Sequence, residues 1–353
     1  MKRWLAPLIG LLVGGGFLYA IATNVDLLQV RNALEGADLR WIALAVLCVL
    51  GGYTVRTLRW WLMLRATTPR VRALACFRPF FGSFSLNNVI PLRLGDVVRA
   101  FGFTGVLGVD PWTVLGTLVT ERLLDLLVLI TLSLTMVTVV PGAVLPAGLQ
   151  PVMQMVVILT LGAVLGLFVL NRPFRTLFAS AAIRAVTARI GVLDAVRRRL
   201  LDVLVAIGTS AGLGLLPVLM LLSLIGWMFE GAVMILVMMA LGLPADPAAA
   251  LLGFGCGTLA TMLPGPPGHF GTFHFFAIAG LTMAGIATVA ATAAVVLTHF
   301  IIWATVTTTG AGLLLTGRPT GRLWSRRTVT EPTIPNAGGP EVRASCPPFA
   351  TPS

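Results

Sequence analysis

Charge is what this sequence has least of. Of its 353 residues 11% are Asp, Glu, Lys or Arg, while 57% are hydrophobic. A soluble domain carries about twice that charge fraction, so a water-soluble globule is excluded and the chain reads as a polytopic membrane protein. Lysine is nearly missing: every basic residue except Lys2 is an arginine. An interior lysine base or Schiff base is therefore excluded, whereas arginine offers a planar fork suited to phosphate. The four cysteines, Cys48, Cys76, Cys256 and Cys346, form no CxxC pair, so neither a disulfide frame nor a zinc site is indicated. No Walker loop, HExxH, GxSxG or transporter-ATPase signature occurs, which excludes ATP-driven transport by this chain alone. The net charge of +12 would point to nucleic acid in a soluble chain. Here the arginines fall between apolar runs, which makes them markers of topology and of the anionic inner leaflet.

Those arginines orient the spans. Residues 4–22 form a first apolar run after Lys2-Arg3, with Ala20-Ile21-Ala22 resembling a signal-peptidase site. The next loop carries Asp26, Glu35 and Asp38 against Arg31 and reads as outside. Span 41–64 runs into Arg65, Arg70 and Arg72, which sets that end in the cytoplasm. An uncharged stretch, 137–150, reads as an outer loop, and the arginine-rich stretch 171–205 as a cytoplasmic amphipathic elbow. Spans 112–139 and 151–170 then go out and return, so residues 73–110, broken at Pro91, must begin and end in the cytoplasm. In the second half 213–243 goes out and 288–315 returns to Arg318, Arg322, Arg326 and Arg327, so residues 251–285, broken at Pro264, dip in from outside. The fold class expected is an all-α polytopic membrane protein with about six full transmembrane helices and two oppositely oriented re-entrant hairpins. One domain, 1–320, would hold halves 41–170 and 212–316 around the elbow. Residues 321–353 are rich in Pro and Gly and read as a disordered cytoplasmic tail, with no soluble catalytic domain attached. Both termini are expected in the cytoplasm of a multi-pass cell-membrane protein.

The two breaks look like copies. Superposing Pro91 on Pro264, 173 residues apart, also superposes Phe81-Gly82 on Phe254-Gly255, Leu86 on Leu259 and Gly95 on Gly268. Broken helices at matching places in two halves of a membrane protein point to a transported-substrate site.

Polar residues cluster near these breaks. Asn87, Asn88, Pro91, Arg93, Asp96 and Arg99 surround the first. Amides exposed at a half-helix N-terminus and backed by arginine suit a lipid phosphate; the plain alternative is a loop with topology-setting arginines. Glu121, Arg122 and Asp125 lie inside an apolar helix, with Glu121 and Asp125 one turn apart on one face. They read either as a gating or proton-coupling pair to Arg93, Arg99 or Arg56, or as a structural buried pair. Glu230 stands alone in its span and must be protonated or paired. His269 and His274 flank the second break and His299 lies in the last span, a polar lining open to titration. No converging third ligand makes them a metal site. Arg56 and Arg59, beside Trp60-Trp61, read as snorkelling to the inner interface.

Five elements occur in order: Arg56-x-x-Arg59-Trp60; Asn88-x-x-Pro91-x-Arg93-x-Gly95-Asp96-x-x-Arg99; Glu121-Arg122-x-x-Asp125; Pro264-x-x-Pro267-Gly268-x-x-Gly271-Thr272-Phe273-His274; and His299. This series resembles the lysylphosphatidylglycerol synthase transmembrane region, the flippase-like integral membrane family, over residues 1–320, nearly all of the chain expected to be ordered. Many relatives carry Glu at the position of Asp96, and some carry Glu where His274 stands. In bifunctional members a soluble aminoacyltransferase domain makes the lipid and the membrane region moves it. The resemblance therefore implies a non-enzymatic, cofactor-free lipid transporter for an anionic or aminoacylated phospholipid or a polyprenyl-phosphate carrier. The inner hairpin would receive the headgroup, Glu121, Arg122 and Asp125 would hold or switch it, and the outer hairpin with Pro264, His269 and His274 would line release. The rival readings are a lipid-binding subunit of a separate lipid synthase or glycosyltransferase, and a membrane-embedded lipid-phosphate enzyme.

Overall fold

The computed structural model describes residues 15–21, 26–90, 93–140, 169–210, 214–261 and 266–316, with isolated positions at 12, 23, 154–155, 158–159, 161–162, 166 and 212. Pro91, Pro264, most of the expected spans 4–22 and 151–170, and the 321–353 tail lie outside the described residues. Every described element is helical. In chain order they are α1 (Leu27–Glu35), α2 (Leu39–Thr67), α3 (Ala73–Val89), α4 (Leu94–Phe101), α5 (Thr104–Leu107), α6 (Pro111–Val139), α7 (Asn171–Ala179), α8 (Ala181–Thr187), α9 (Gly191–Ser210), α10 (Leu216–Ala240), α11 (Pro247–Ala260), a 3-10 turn (Pro267–His269), α12 (Thr272–Met283) and α13 (Thr288–Thr316).

Four of these, α2, α6, α10 and α13, are long and apolar enough to cross a membrane. Their 25 to 29 residues rise about 40 Å at 1.5 Å per residue, more than the ~30 Å hydrocarbon core. This is a multi-pass membrane protein. The long helices start where capping chemistry places them. Asp38 accepts from the Arg40 amide ahead of α2, and Asp110 accepts from the Trp112 amide ahead of α6, with Pro111 in the first turn. On the elbow, the Arg197 guanidinium hydrogen-bonded to Asp194 holds that carboxyl below the usual carboxylate range.

The helices pair in a reciprocal pattern. α2 and α10 run antiparallel: the Asp38 amide donates to the Ala240 carbonyl at 2.9 Å, Gly52 faces Phe229, and Arg59 reaches Ser223. The first helix of each broken pair packs on the long helix of the other half, α3 on α13 and α11 on α6, while the second packs on the long helix of its own half, α4 on α6 and α12 on α13. Small residues permit both close approaches. Gly310 lies against the Phe81 backbone between α13 and α3, and Gly255 against Ser133 between α11 and α6. Within the pairs, Gly95 seats on the Ser83 carbonyl and Gly280 on Gly253. Gly310→Val is expected to destabilise the protein by at least about 1–3 kcal/mol, because its side chain would overlap backbone that cannot rotate away. A thermal-unfolding midpoint in detergent that stays unchanged would contradict this packing.

Candidate functional site

The two breaks meet. Arg93 Nη2 at the start of α4 donates to the carbonyl of Thr261 at the end of α11, at 2.8 Å. Around this contact lies a cavity of about 150 Å³ lined by Asn87, Asn88 and Arg93 from the first break, Thr258, Thr261 and His269 from the second, and Tyr53, Arg56, Arg122, Asp125, Trp227, Glu230, His299 and Trp303 from the long helices. Arg93 (φ 51°) and His269 (φ 56°) are the non-glycine residues with left-handed backbone among the described residues. Side chains rarely hold that conformation, and it collects at functional sites. Each break thus spends its strained position on a polar side chain aimed into the same cavity.

Ion pairs tie the cavity wall together. Arg59 holds Asp125 with both nitrogens, at 2.5 and 3.0 Å, and also bonds Ser223. Arg56 lies 2.8 Å from Glu230 and stacks 3.9 Å over the Trp227 ring. Arg99 meets Glu121 at 3.1 Å, wholly buried and flanked by Trp60 and Phe80. Arg122 meets Asp96 at 3.1 Å, and Asn87 donates to the same carboxylate. This last pair is the more open one, with side chains 29% and 21% exposed. Charges at this depth are costly unless paired, and the pairing answers that cost.

These contacts bear on three expectations. Arg56 and Arg59 do not snorkel: both are buried and each is bound to a carboxylate. The isolated Glu230 has its partner in Arg56, on a helix that hydropathy treats as separate. Glu121 takes Arg99, as one of the expected pairings, but Asp125 takes Arg59, which was not among them. Of the expected site residues, Asn87, Asn88, Arg93, Arg122, Asp125, Glu230, His269 and His299 line the cavity itself. Asp96 supports it through Arg122 and Asn87, and the Arg99–Glu121 pair sits behind it. His274 stands behind His299, their ring nitrogens 3.3 Å apart. Sequence reasoning missed Tyr53, Trp227, Thr258, Thr261 and Trp303, which look like ordinary core in an apolar span. Among the described residues no three metal-ligating side chains converge.

Several buried polar atoms of the lining residues have no hydrogen-bond partner among the described residues: Arg56 Nε and Nη2, Asn87 Oδ1, Trp227 Nε1, Glu230 Oε1, Thr258 Oγ1 and His269 Nδ1. Arg56 Nε and Nη2 and Trp227 Nε1 are donors that call for an acceptor, whereas Asn87 Oδ1 and Glu230 Oε1 accept. The wall therefore offers a polar ligand both donors, concentrated at Arg56 and Trp227, and acceptors.

Comparison with known proteins agrees with a membrane role. The family described as "Lysylphosphatidylglycerol synthase TM region" matches residues 8–310. Glycosyltransferase AglD of Haloferax volcanii is 26% identical over 345 residues, covering 89% of this chain and 55% of that protein. The chain thus spans about half the length of that curated relative. No solved structure matches it.

Proposed function

The chain belongs to the lysylphosphatidylglycerol synthase transmembrane-region family, and from that premise we propose that it moves a lipid with a phosphate headgroup between leaflets, binding the headgroup in the cavity between the two breaks. One observation carries this reading. The cluster holds five arginines (Arg56, Arg59, Arg93, Arg99, Arg122) and four carboxylates (Asp96, Glu121, Asp125, Glu230), and four ion pairs consume all but Arg93. Arg93 is left with a neutral carbonyl. A half-buried guanidinium with donors to spare beside a polar cavity suits phosphate. A cavity of about 150 Å³ holds a group as large as benzene. The headgroup therefore fits and the acyl chains stay in the bilayer.

The topology that goes with this reading has six spans, cytoplasmic termini and two re-entrant hairpins entering from opposite faces of the cell membrane. The reciprocal packing supports it. The antiparallel α2–α10 pair sits between two broken pairs, and the first helix of each packs on the other half's long helix, as expected of halves related by an in-plane pseudo-two-fold axis. A substrate site at the meeting point of two broken helices is the consequence.

A second reading has one observation in its favour. The chain matches about half of a protein named as a glycosyltransferase, so a membrane module that presents a lipid-linked phosphate to a separate transferase fits the same cavity. Proteoliposomes separate the two. Accelerated translocation of fluorescent phosphatidylglycerol, read by dithionite quenching, supports transport. Lipid binding without translocation, together with co-purification of a transferase, supports the second.

A further inference from the structure

A neutral imidazole carries one proton, and its other nitrogen can only accept. The Gly271 amide donates to His274 Nδ1 at 3.3 Å, which fixes the His274 proton on Nε2. That nitrogen lies 3.3 Å from His299 Nδ1. His274 therefore donates and His299 accepts, and the His299 proton sits on Nε2. The result is a directed chain from the Gly271 amide through His274 to His299, with both Nδ1 atoms occupied as acceptors. An added proton has to land on one of them. On His274 Nδ1 it confronts the Gly271 N–H, and that bond is lost. On His299 Nδ1 it confronts His274 Nε2–H. Keeping the histidine–histidine bond then requires His274 to move its own proton to Nδ1, and the Gly271 bond is lost again.

We infer that the His274–His299 couple is a proton-binding site whose loading unfastens the tip of the second broken helix pair, making a proton the co-ligand of the anion in the cavity. The surroundings suit this role. His299 lines the cavity, and both rings are buried. The Phe270 and Phe273 rings each lie 4.9 Å from the His299 ring, and aromatic faces favour a cation. The bond at stake holds the first turn of α12. Just before it, Gly268, His269 and Gly271 all have left-handed backbone. Releasing the Gly271 amide loosens the strained segment that aims His269 at the cavity.

The charges facing the couple set its coupling. His269 lies beside it on the 3-10 turn, and Cys256 of α11 packs on Gly280 of α12. Across the cavity stand Arg93 from α4 and Arg122 and Asp125 from α6. The Arg56–Glu230 pair and Tyr53 complete the wall from α2 and α10, while α3 presents the neutral Asn87 and Asn88. Arg93, the guanidinium left without a carboxylate, opposes a further positive charge in the cavity, and an anion bound to it offsets that opposition. Anion and proton then bind with mutual gain, which linkage makes reciprocal. This coupling rests on the transport reading; the hydrogen-bond chain does not.

With three histidines in the chain, ¹⁵N-imidazole NMR of the protein in nanodiscs is assignable by single substitution. On acidification from about pH 8, above the ordinary histidine value, to the lowest pH at which the nanodisc sample stays folded, the couple should start as two Nε2–H tautomers. It should then take up one proton and lose the Gly271 amide hydrogen bond in the same step. His274→Gln is the decisive variant. Its amide oxygen can accept from Gly271 and its NH₂ can donate to His299, so the neutral wiring survives while proton uptake is left to His299 alone and should move to lower pH. A couple that stays neutral throughout, a Gly271 bond that outlasts the titration, or a step whose midpoint is unmoved in His274→Gln overturns the proton site. Lipid flux that is the same at both ends of this range overturns the co-ligand role. Absence of flux with any lipid counts against the transport reading, and the NMR titration still decides the proton site.

Discussion

Asp125→Ala is expected to destabilise the protein by about 3–5 kcal/mol, read from denaturation in detergent. Asp125 accepts both nitrogens of a guanidinium that has no exposure at all. Removing the carboxylate leaves Arg59 with the Ser223 hydroxyl as its remaining partner. A buried charge without its counter-ion costs about that much, whereas replacing the whole pair by apolar groups is often neutral. The double change Arg59→Leu with Asp125→Leu should therefore recover most of the loss, and a double-mutant cycle measures the coupling. Asp96→Ala is the internal control. Its pair with Arg122 is partly exposed, so water screens the orphaned guanidinium and the loss should be clearly smaller. Equal losses at the two positions would mean that depth does not govern these pairs.

The sequence reading and the structure part company where long-range pairing begins. Helix bounds were legible to within a few residues: span 41–64 became α2 (Leu39–Thr67) and span 213–243 became α10 (Leu216–Ala240). Local signals decide such ends, as with the cap at Asp38 and the Pro at the start of α10. Both broken helices were legible too, from proline and glycine set in apolar runs. The ion pairs were not. Arg59 is 66 residues from Asp125 and 164 from Ser223, and no local periodicity links such positions. Positive charge near the end of an apolar span has a ready local explanation in snorkelling, and that explanation hid Arg56 and Arg59. One signal was available. Tyr53, Arg56 and Arg59 recur at spacing three in α2, a polar stripe on one helical face that a purely interfacial arginine does not need. Thr258 and Trp303 offered no comparable signal, because hydroxyls and aromatic rings are common in the cores of membrane bundles.

Arg93→Ala is expected to slow lipid translocation about ten- to hundred-fold while leaving the fold intact. A charge-assisted hydrogen bond is worth about 1.5–3 kcal/mol, and each 1.4 kcal/mol is about tenfold. Arg93→Lys should fall between wild type and Ala, because it keeps the charge and loses the fork. Arg93→Gly makes the sharper test. Glycine relieves the left-handed backbone at this position by about 1 kcal/mol, which offsets much of the lost bond to the Thr261 carbonyl. Its stability should stay within about 1 kcal/mol of wild type, with translocation as impaired as in Arg93→Ala. A structural arginine would show the reverse, with stability and transport falling together. Undiminished translocation in Arg93→Gly would move the headgroup site away from this residue, leaving Arg56 and Arg122 as the guanidiniums on the cavity wall. The backbone strain at Arg93 is understandable if that guanidinium is held ready for an anion, because the same chain reversal could be made by glycine at lower cost.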